Sequence, residues 1–281
     1  MTQTHITAPT RFVESGGIRH AYRRFGTDTD VPLVFLQHFR GGMDNWDPLL
    51  TDGMARNRPV ILFDNAGVAA SSGETPDMIE ALADDLAVFL AAMRLDQVDV
   101  LGFSLGGSIA QEFVIRHPRL VRRLILSGAG PRGGVPRSDP RVAGVVANPV
   151  PTLEDFLFLF FSPSASSQLA GRAFWERRHQ RTVDVDPPSS EQTMRAQSAA
   201  GAAFREPGGE PFADLRSIHV PTLVTNGSND IMIPTINSYH LAQHISKAQL
   251  ILYPDSGHGA LFQHVHLYLK HAEMFLDGDY E

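Results

Sequence analysis

The sequence predicts an open α/β sheet, mostly parallel, with helices on both faces, and three observations carry the prediction. Nearly continuous apolar runs, the pattern of strands buried on both sides, alternate with segments of helical period. One such run passes straight into a helix through Gly102-Phe103-Ser104-Leu105-Gly106. After residue 130 the strand pattern stops, helical patterns take over, and apolar strand runs resume only near Val220. Alternation of this kind implies a doubly wound sheet with one insertion.

Taken in order, Phe12 to Glu14 and Ile18 to Phe25 flank Ser15-Gly16-Gly17, a hairpin signal that predicts an antiparallel edge. Val31 to His38 and Val60 to Asp64 read as buried strands, the second followed by a small-residue loop, Asn65 to Ser71. Thr75-Pro76-Asp77 is expected to open a helix running to Arg94, with Ile79, Leu82, Leu86, Phe89, Leu90 and Met93 on one face. Val98 to Phe103 is the next strand. The helix from Leu105 ends at His117 because Pro118 cannot continue it, and Leu124 to Gly128 is a further strand. Pro131 to Pro151 shows no period and reads as loop. Helical patterns then cover Thr152 to Phe161, Gln168 to Arg181 and Glu191 to Glu206, broken by Asp186-Pro187-Pro188 and closed by Pro207-Gly208-Gly209. Residues 131–211 are therefore expected to form a helical cap between two core segments, 1–130 and 212–281. The cap's phenylalanine-rich face either packs on the core or roofs an apolar pocket, and both can hold. Val220 to Asn226 and Ala248 to Tyr253 are the last strands, and an amphipathic helix from Leu261 to Leu276 seals the fold.

The chain has 281 residues, 43% of them hydrophobic and 20% charged, the profile of a globular protein with a large core. A net charge of -7 with no basic run disfavours nucleic acid as a partner. The sequence contains no cysteine, which excludes disulfides and thiolate chemistry and fits a reducing compartment. The first ten residues lack a basic start and an apolar stretch, and no apolar run reaches the roughly 18 residues of a spanning helix, so a cytoplasmic protein with no membrane partner is expected. A homo-oligomer is compatible with this reading.

The chemistry is declared at Ser104. A strand reversing into a helix within one residue forces that residue into a strained backbone, and side chains two positions away on either side would collide; Gly102 and Gly106 remove them. The first amides of the following helix have no internal partner and point at whatever binds there. Serine alone is a weak nucleophile and needs a base, which histidine can be near neutrality. Among 12 histidines, His258 stands out in the glycine-flanked loop Asp255-Ser256-Gly257-His258-Gly259 after the last strand. Asp230, at the end of Asn226-Gly227-Ser228-Asn229-Asp230, likewise follows a strand end, where open sheets place their chemistry. Asp255 is too close in sequence to His258 and reads as a turn residue, and Gly128 to Arg137 holds no carboxylate. His5, His20, His179 and His219 read as surface or satisfied. His240 and His244, and His264, His266 and His271, have ligand-like spacings but no His-Glu-x-x-His pattern, so no metal is expected.

With Ser104, Asp230 and His258 in that order, the chain resembles the α/β-hydrolase superfamily over essentially its whole length. It is most similar to the branch of cofactor-free haloperoxidases (perhydrolases), carboxylesterases and enol-lactonases. The resemblance implies an eight-stranded sheet, a helical cap, and neither metal nor organic cofactor. It also implies a second oxyanion donor in the loop after the third strand, where His38-Phe39-Arg40-Gly41-Gly42 departs from the usual His-Gly. By position the donor is the Arg40 amide, with Phe39 the alternative, beside the amide of Leu105. The Arg40 side chain is read as solvated or ion-paired in preference to holding a substrate carboxylate. Asp64 to Ser71 resembles a structural turn of the family, with Ala69 replacing a glycine. His38, Phe39, Phe156, Phe160 and Trp175 are the candidate pocket residues. The expected activity is hydrolysis of an ester or lactone of a small to medium apolar acyl compound through an acyl-Ser104 intermediate. Perhydrolysis, carbon–carbon bond hydrolysis by the same groups, and a non-turning-over ligand receptor are the alternatives.

Overall fold

The computed structural model describes residues 3–28 and 31–279; residues 1–2 and 280–281, the outermost positions of the expected core segments, lie outside the described residues. Eight strands form one sheet: β1 (Arg11–Ser15), β2 (Ile18–Gly26), β3 (Leu33–Leu36), β4 (Pro59–Phe63), β5 (Val98–Phe103), β6 (Val121–Ser127), β7 (Thr222–Gly227) and β8 (Ala248–Tyr253). Their spatial order is β1-β2-β4-β3-β5-β6-β7-β8. The hairpin pairs antiparallel, β2 meets β4 antiparallel, and every later pair is parallel. This is the α/β-hydrolase architecture.

The helices are α1 (Pro48–Met54), α2 (Ile79–Ala92), α3 (Leu105–Arg116), α4 (Arg141–Val146), α5 (Leu153–Phe160), α6 (Ala165–Arg178), α7 (Glu191–Arg205), α8 (Ile236–His244), α9 (Ala260–Gln263) and α10 (Val265–Asp277). The apolar runs follow from coverage on both faces. In β3, Leu33 and Phe35 join one core cluster and Val34 and Leu36 the other, all four with no exposed surface. The first cluster packs the sheet against α1, α9, α10 and the helices α5 and α6. The second holds α2, α3 and α8, with Ala200 and Phe204 of α7 at its margin. Helices α4 to α7 all fall between β6 and β7. No helix among the described residues is long and apolar enough to cross a membrane.

Several element ends shift by up to three residues, as where β6 opens at Val121 and α6 at Ala165, and three differences go further. The helix expected to open at Thr75 opens at Ile79, because the Thr75 backbone is committed elsewhere: its amide donates to Gln192 Oε1 (3.1 Å) and its carbonyl accepts from Gln192 Nε2 (2.9 Å). The stretch read as loop before residue 151 contains α4, anchored by buried Val142. The single helix expected to close the fold is two, broken at His264, whose backbone (φ -105°, ψ 34°) leaves the helical region.

His5 lies under this scaffold with no exposed surface, its Nδ1 2.9 Å from Thr51 Oγ1. Burial, aided by the nearby Arg23 charge, pushes its pKa down to about 3. In the unfolded chain the same imidazole titrates near 6.5. The folded protein therefore binds fewer protons in that interval, and stability present above pH 6.5 is lost as pH falls toward 3, by up to about 1.4 kcal/mol per pH unit. His5→Asn is expected to flatten the slope of unfolding free energy against pH, measured by urea titration from pH 6.5 to 4.5, by about one proton. Asp64 and Asp186, raised by burial, pull the opposite way but in both proteins alike. Equal slopes in the two proteins would refute the assignment.

Candidate active site

Ser104 sits between β5 and α3 with φ 57° and ψ -117°, a conformation a side chain rarely adopts. The turn is enforced by close approach. A Cβ on Gly106 would lie 2.1 Å from the Leu36 carbonyl oxygen, and one on Gly102 would lie 2.5 Å from that of Gly106. The Ser104 amide donates to the Ser127 carbonyl (3.0 Å), which ties the turn to β6. The hydroxyl is therefore raised above the carboxyl ends of the parallel strands, half-buried, and makes no hydrogen bond to another described residue.

Asp230 follows β7 and His258 follows β8, and the sheet brings them together. His258 Nδ1 lies 2.7 Å from Asp230 Oδ2, and both side chains have no exposed surface. A carboxylate only accepts, so in the neutral ring Nδ1 carries the proton and Nε2 the lone pair. Nε2 is buried and has no partner among the described residues. Asp230 is itself held by two amides, which donate to Oδ1 from Met232 (2.7 Å) and Ile233 (2.9 Å). Phe103 (5.0 Å between ring centres) and Phe160 (5.4 Å) wall the imidazole. Asp255 is remote from this pairing. It is exposed, with φ 48°, and accepts from Ser164 and Ser166 at the start of α6 (2.7 and 2.9 Å). The neighbouring Gly259 amide donates to the Phe160 carbonyl of α5 (2.7 Å).

Around the hydroxyl, the structure separates the two amides that sequence left as alternatives. The Arg40 amide, first choice by position, donates to Gln197 Oε1 of α7 (2.7 Å) and is not free for a ligand. The Phe39 and Leu105 amides have no hydrogen-bond partner among the described residues. Phe39 thus replaces Arg40 as the candidate second donor. Gln197 could not be singled out beforehand, because it lies 157 residues along the chain from the amide it occupies. The Arg40 guanidinium, half-exposed, makes no ion pair among the described residues: it donates to the Asn148 (2.8 Å) and Pro149 (2.6 Å) carbonyls.

Ser104 and His258 open into one cavity of about 570 Å³, on whose wall His38, Phe39, Phe156, Phe160 and Trp175 also lie. The α5 aromatics divide their work: Phe156 and Phe160 face the cavity, whereas Phe161 packs on Phe174 in the core. His38 donates through Nδ1 to the Phe39 carbonyl (2.8 Å), and its buried Nε2 is unpartnered. Burial pushes its pKa down to about 3, so it is neutral and presents a lone pair. The remaining histidines are scattered: His240 and His244 flank Phe212, while His264 and His271 flank Tyr253. Among the described residues no group of three His, Asp or Glu side chains could hold a metal.

An alcohol on a strained strand-to-helix turn, opening into the same cavity as an imidazole backed by a carboxylate above a parallel sheet, marks the hydrolase class of α/β enzymes. Comparison with known proteins makes the assignment specific: residues 31–265 match the alpha/beta hydrolase fold family, and the chain belongs to that family. An alpha/beta hydrolase fold protein from Chitinophaga pinensis is 39% identical, with a TM-score of 0.90 over 98% of this chain and 99% of that one. A 2-hydroxymuconate semialdehyde hydrolase from Pseudomonas sp. (strain CF600) is 30% identical over 90% of this chain and 89% of its own. An esterase from Exiguobacterium antarcticum, 21% identical, shares the fold with a TM-score of 0.75 over 95% of this chain and 98% of its own.

Proposed function

We propose that the protein is a serine hydrolase that cleaves an ester or lactone of a small to medium, largely apolar acyl compound. The observation that carries the reading is the Asp230-held imidazole of His258, whose Nε2 lone pair opens on the same cavity as the strained Ser104 hydroxyl. Ser104 Oγ forms the bond to the acyl carbon as its proton passes to His258 Nε2. The carbonyl oxygen takes the charge and is met by the Phe39 and Leu105 amides, each donor of this kind contributing roughly 3 kcal/mol to the transition state. Collapse breaks the bond to the leaving oxygen, which takes the proton from His258. Water then repeats the sequence on the acyl-Ser104 ester, freeing the acid and restoring the serine. Residues 131–211 act as the cap that keeps bulk water from the cavity. Hydrolysis of a carbon–carbon bond by the same groups is the second reading, supported by the similarity to the 2-hydroxymuconate semialdehyde hydrolase.

Active-site labelling tests the proposal. A fluorophosphonate is expected to add stoichiometrically to Ser104, located by peptide mass spectrometry, and to abolish p-nitrophenyl butyrate turnover in parallel. Labelling at another residue, or none with the protein folded, would overturn it.

A further inference from the structure

Arg178 stands on the wall of the same cavity and is left over by the mechanism. Its Nε and Nη1 are buried without a hydrogen-bond partner, and the guanidinium makes no ion pair among the described residues. Its neighbours are all spoken for. Arg40 donates to the Asn148 and Pro149 carbonyls, and Arg181 to those of His5, Ile6 and Ala8. Of the acids on the cavity wall, Asp44 and Asp186 are paired with Arg23, Asp44 acting on Arg178 only through its charge, and Asp155 accepts from Asn148 and the Thr152 amide.

Aromatic contact does not use these donors. The guanidinium carbon lies 4.4 Å from the centre of Phe156, 4.9 Å from Trp175 and 5.9 Å from Phe174. Rings over the faces of a guanidinium stabilise its charge but leave its N–H groups aimed outward in the plane, where they need oxygen acceptors. A buried cation without such acceptors is costly, and burial pushes the Arg178 pKa down to about 10, still charged at neutral pH. Its charge reaches His38 on the same cavity wall and helps to hold that ring neutral.

We infer that Arg178 is the anion-binding residue of this cavity, and that the acyl compounds it takes carry a carboxylate at the end away from the bond cleaved. Two carboxylate oxygens accept from the planar fork, which stays held between rings, while the chain between the carboxylate and the scissile carbonyl runs over Phe156 and Phe160. The role of Ser104 in this statement rests on the proposed function, whereas the site itself does not.

Binding to Ser104→Ala, which cannot turn over on that reading, separates the two. Monomethyl adipate and its neutral counterpart dimethyl adipate are titrated by calorimetry at neutral pH. The monoanion is expected to bind at least about tenfold more tightly, and the preference to vanish in Ser104→Ala/Arg178→Met. Ser104→Ala/Arg178→Lys, which keeps the charge without the fork, is expected to retain part of it. Equal affinity for the two esters, or a preference that survives methionine, overturns the inference. Should the methionine variant fail to fold, as judged by near-ultraviolet circular dichroism, an undiminished preference in the lysine variant does the same. Failure of Ser104 to label would sink the proposed function and leave these affinities to be read unchanged.

Discussion

Ser104→Ala is expected to lower kcat for p-nitrophenyl butyrate by about 10⁴-fold or more, with KM little changed. The size follows from what is lost. Without Oγ no acyl bond forms, and what remains is water attack aided by the two amides and by positioning. Stability is expected to stay within about 0.5 kcal/mol of wild type, because the hydroxyl bonds to no described residue and alanine adopts the same strained turn at similar cost. Rate measurements on protein shown to unfold at the wild-type urea midpoint check both halves. Retention of more than about a tenth of the wild-type rate would reject the nucleophile.

Asp230→Asn is expected to lower kcat by about 10⁴-fold while leaving the loop in place. Asparagine keeps an oxygen for the Met232 and Ile233 amides, which donate to Oδ1. Its NH₂ then meets His258 Nδ1, where the carboxylate accepts a hydrogen bond of 2.7 Å. Donor facing donor drives the imidazole to the other tautomer, with Nδ1 as acceptor and Nε2 protonated. The base then has no lone pair to offer Ser104. Fluorophosphonate labelling should slow in step with ester turnover, since both need the same deprotonation. A variant that labels at the wild-type rate would show that Asp230 does not set the tautomer.

The sequence displayed the fold because its determinants are local. Apolar runs such as Leu33 to Leu36 must be covered on both faces, and the spacing of Gly102 and Gly106 permits only one turn between strand and helix. Asp230 and His258 were legible for a related reason, since each follows a strand end and parallel strands deliver those ends to one edge. The oxyanion loop was not. Choosing between Arg40 and Phe39 depended on a one-residue turn in which Arg40 takes φ 63° and spends its amide on a helix far along the chain. Arg178 was equally hidden. In the sequence it is one of a pair with Arg177, yet Arg177 reaches Asp47 (2.6 Å) while Arg178 turns into the cavity unpaired. Adjacent residues on a helix face different neighbours, and no pattern in the sequence says which of them will be answered.

The tie from the Gly259 amide to the Phe160 carbonyl joins the roof of the chamber to the residue next to the imidazole. Asp255, gripping Ser164 and Ser166, fastens the same hinge at a second point. A roof bolted at this corner cannot lift as a free flap without dragging the loop that carries His258 with it. Pro149 to Pro151 also lie on the cavity wall, and a movement confined to them would leave the His258 loop and its tie to Phe160 in place.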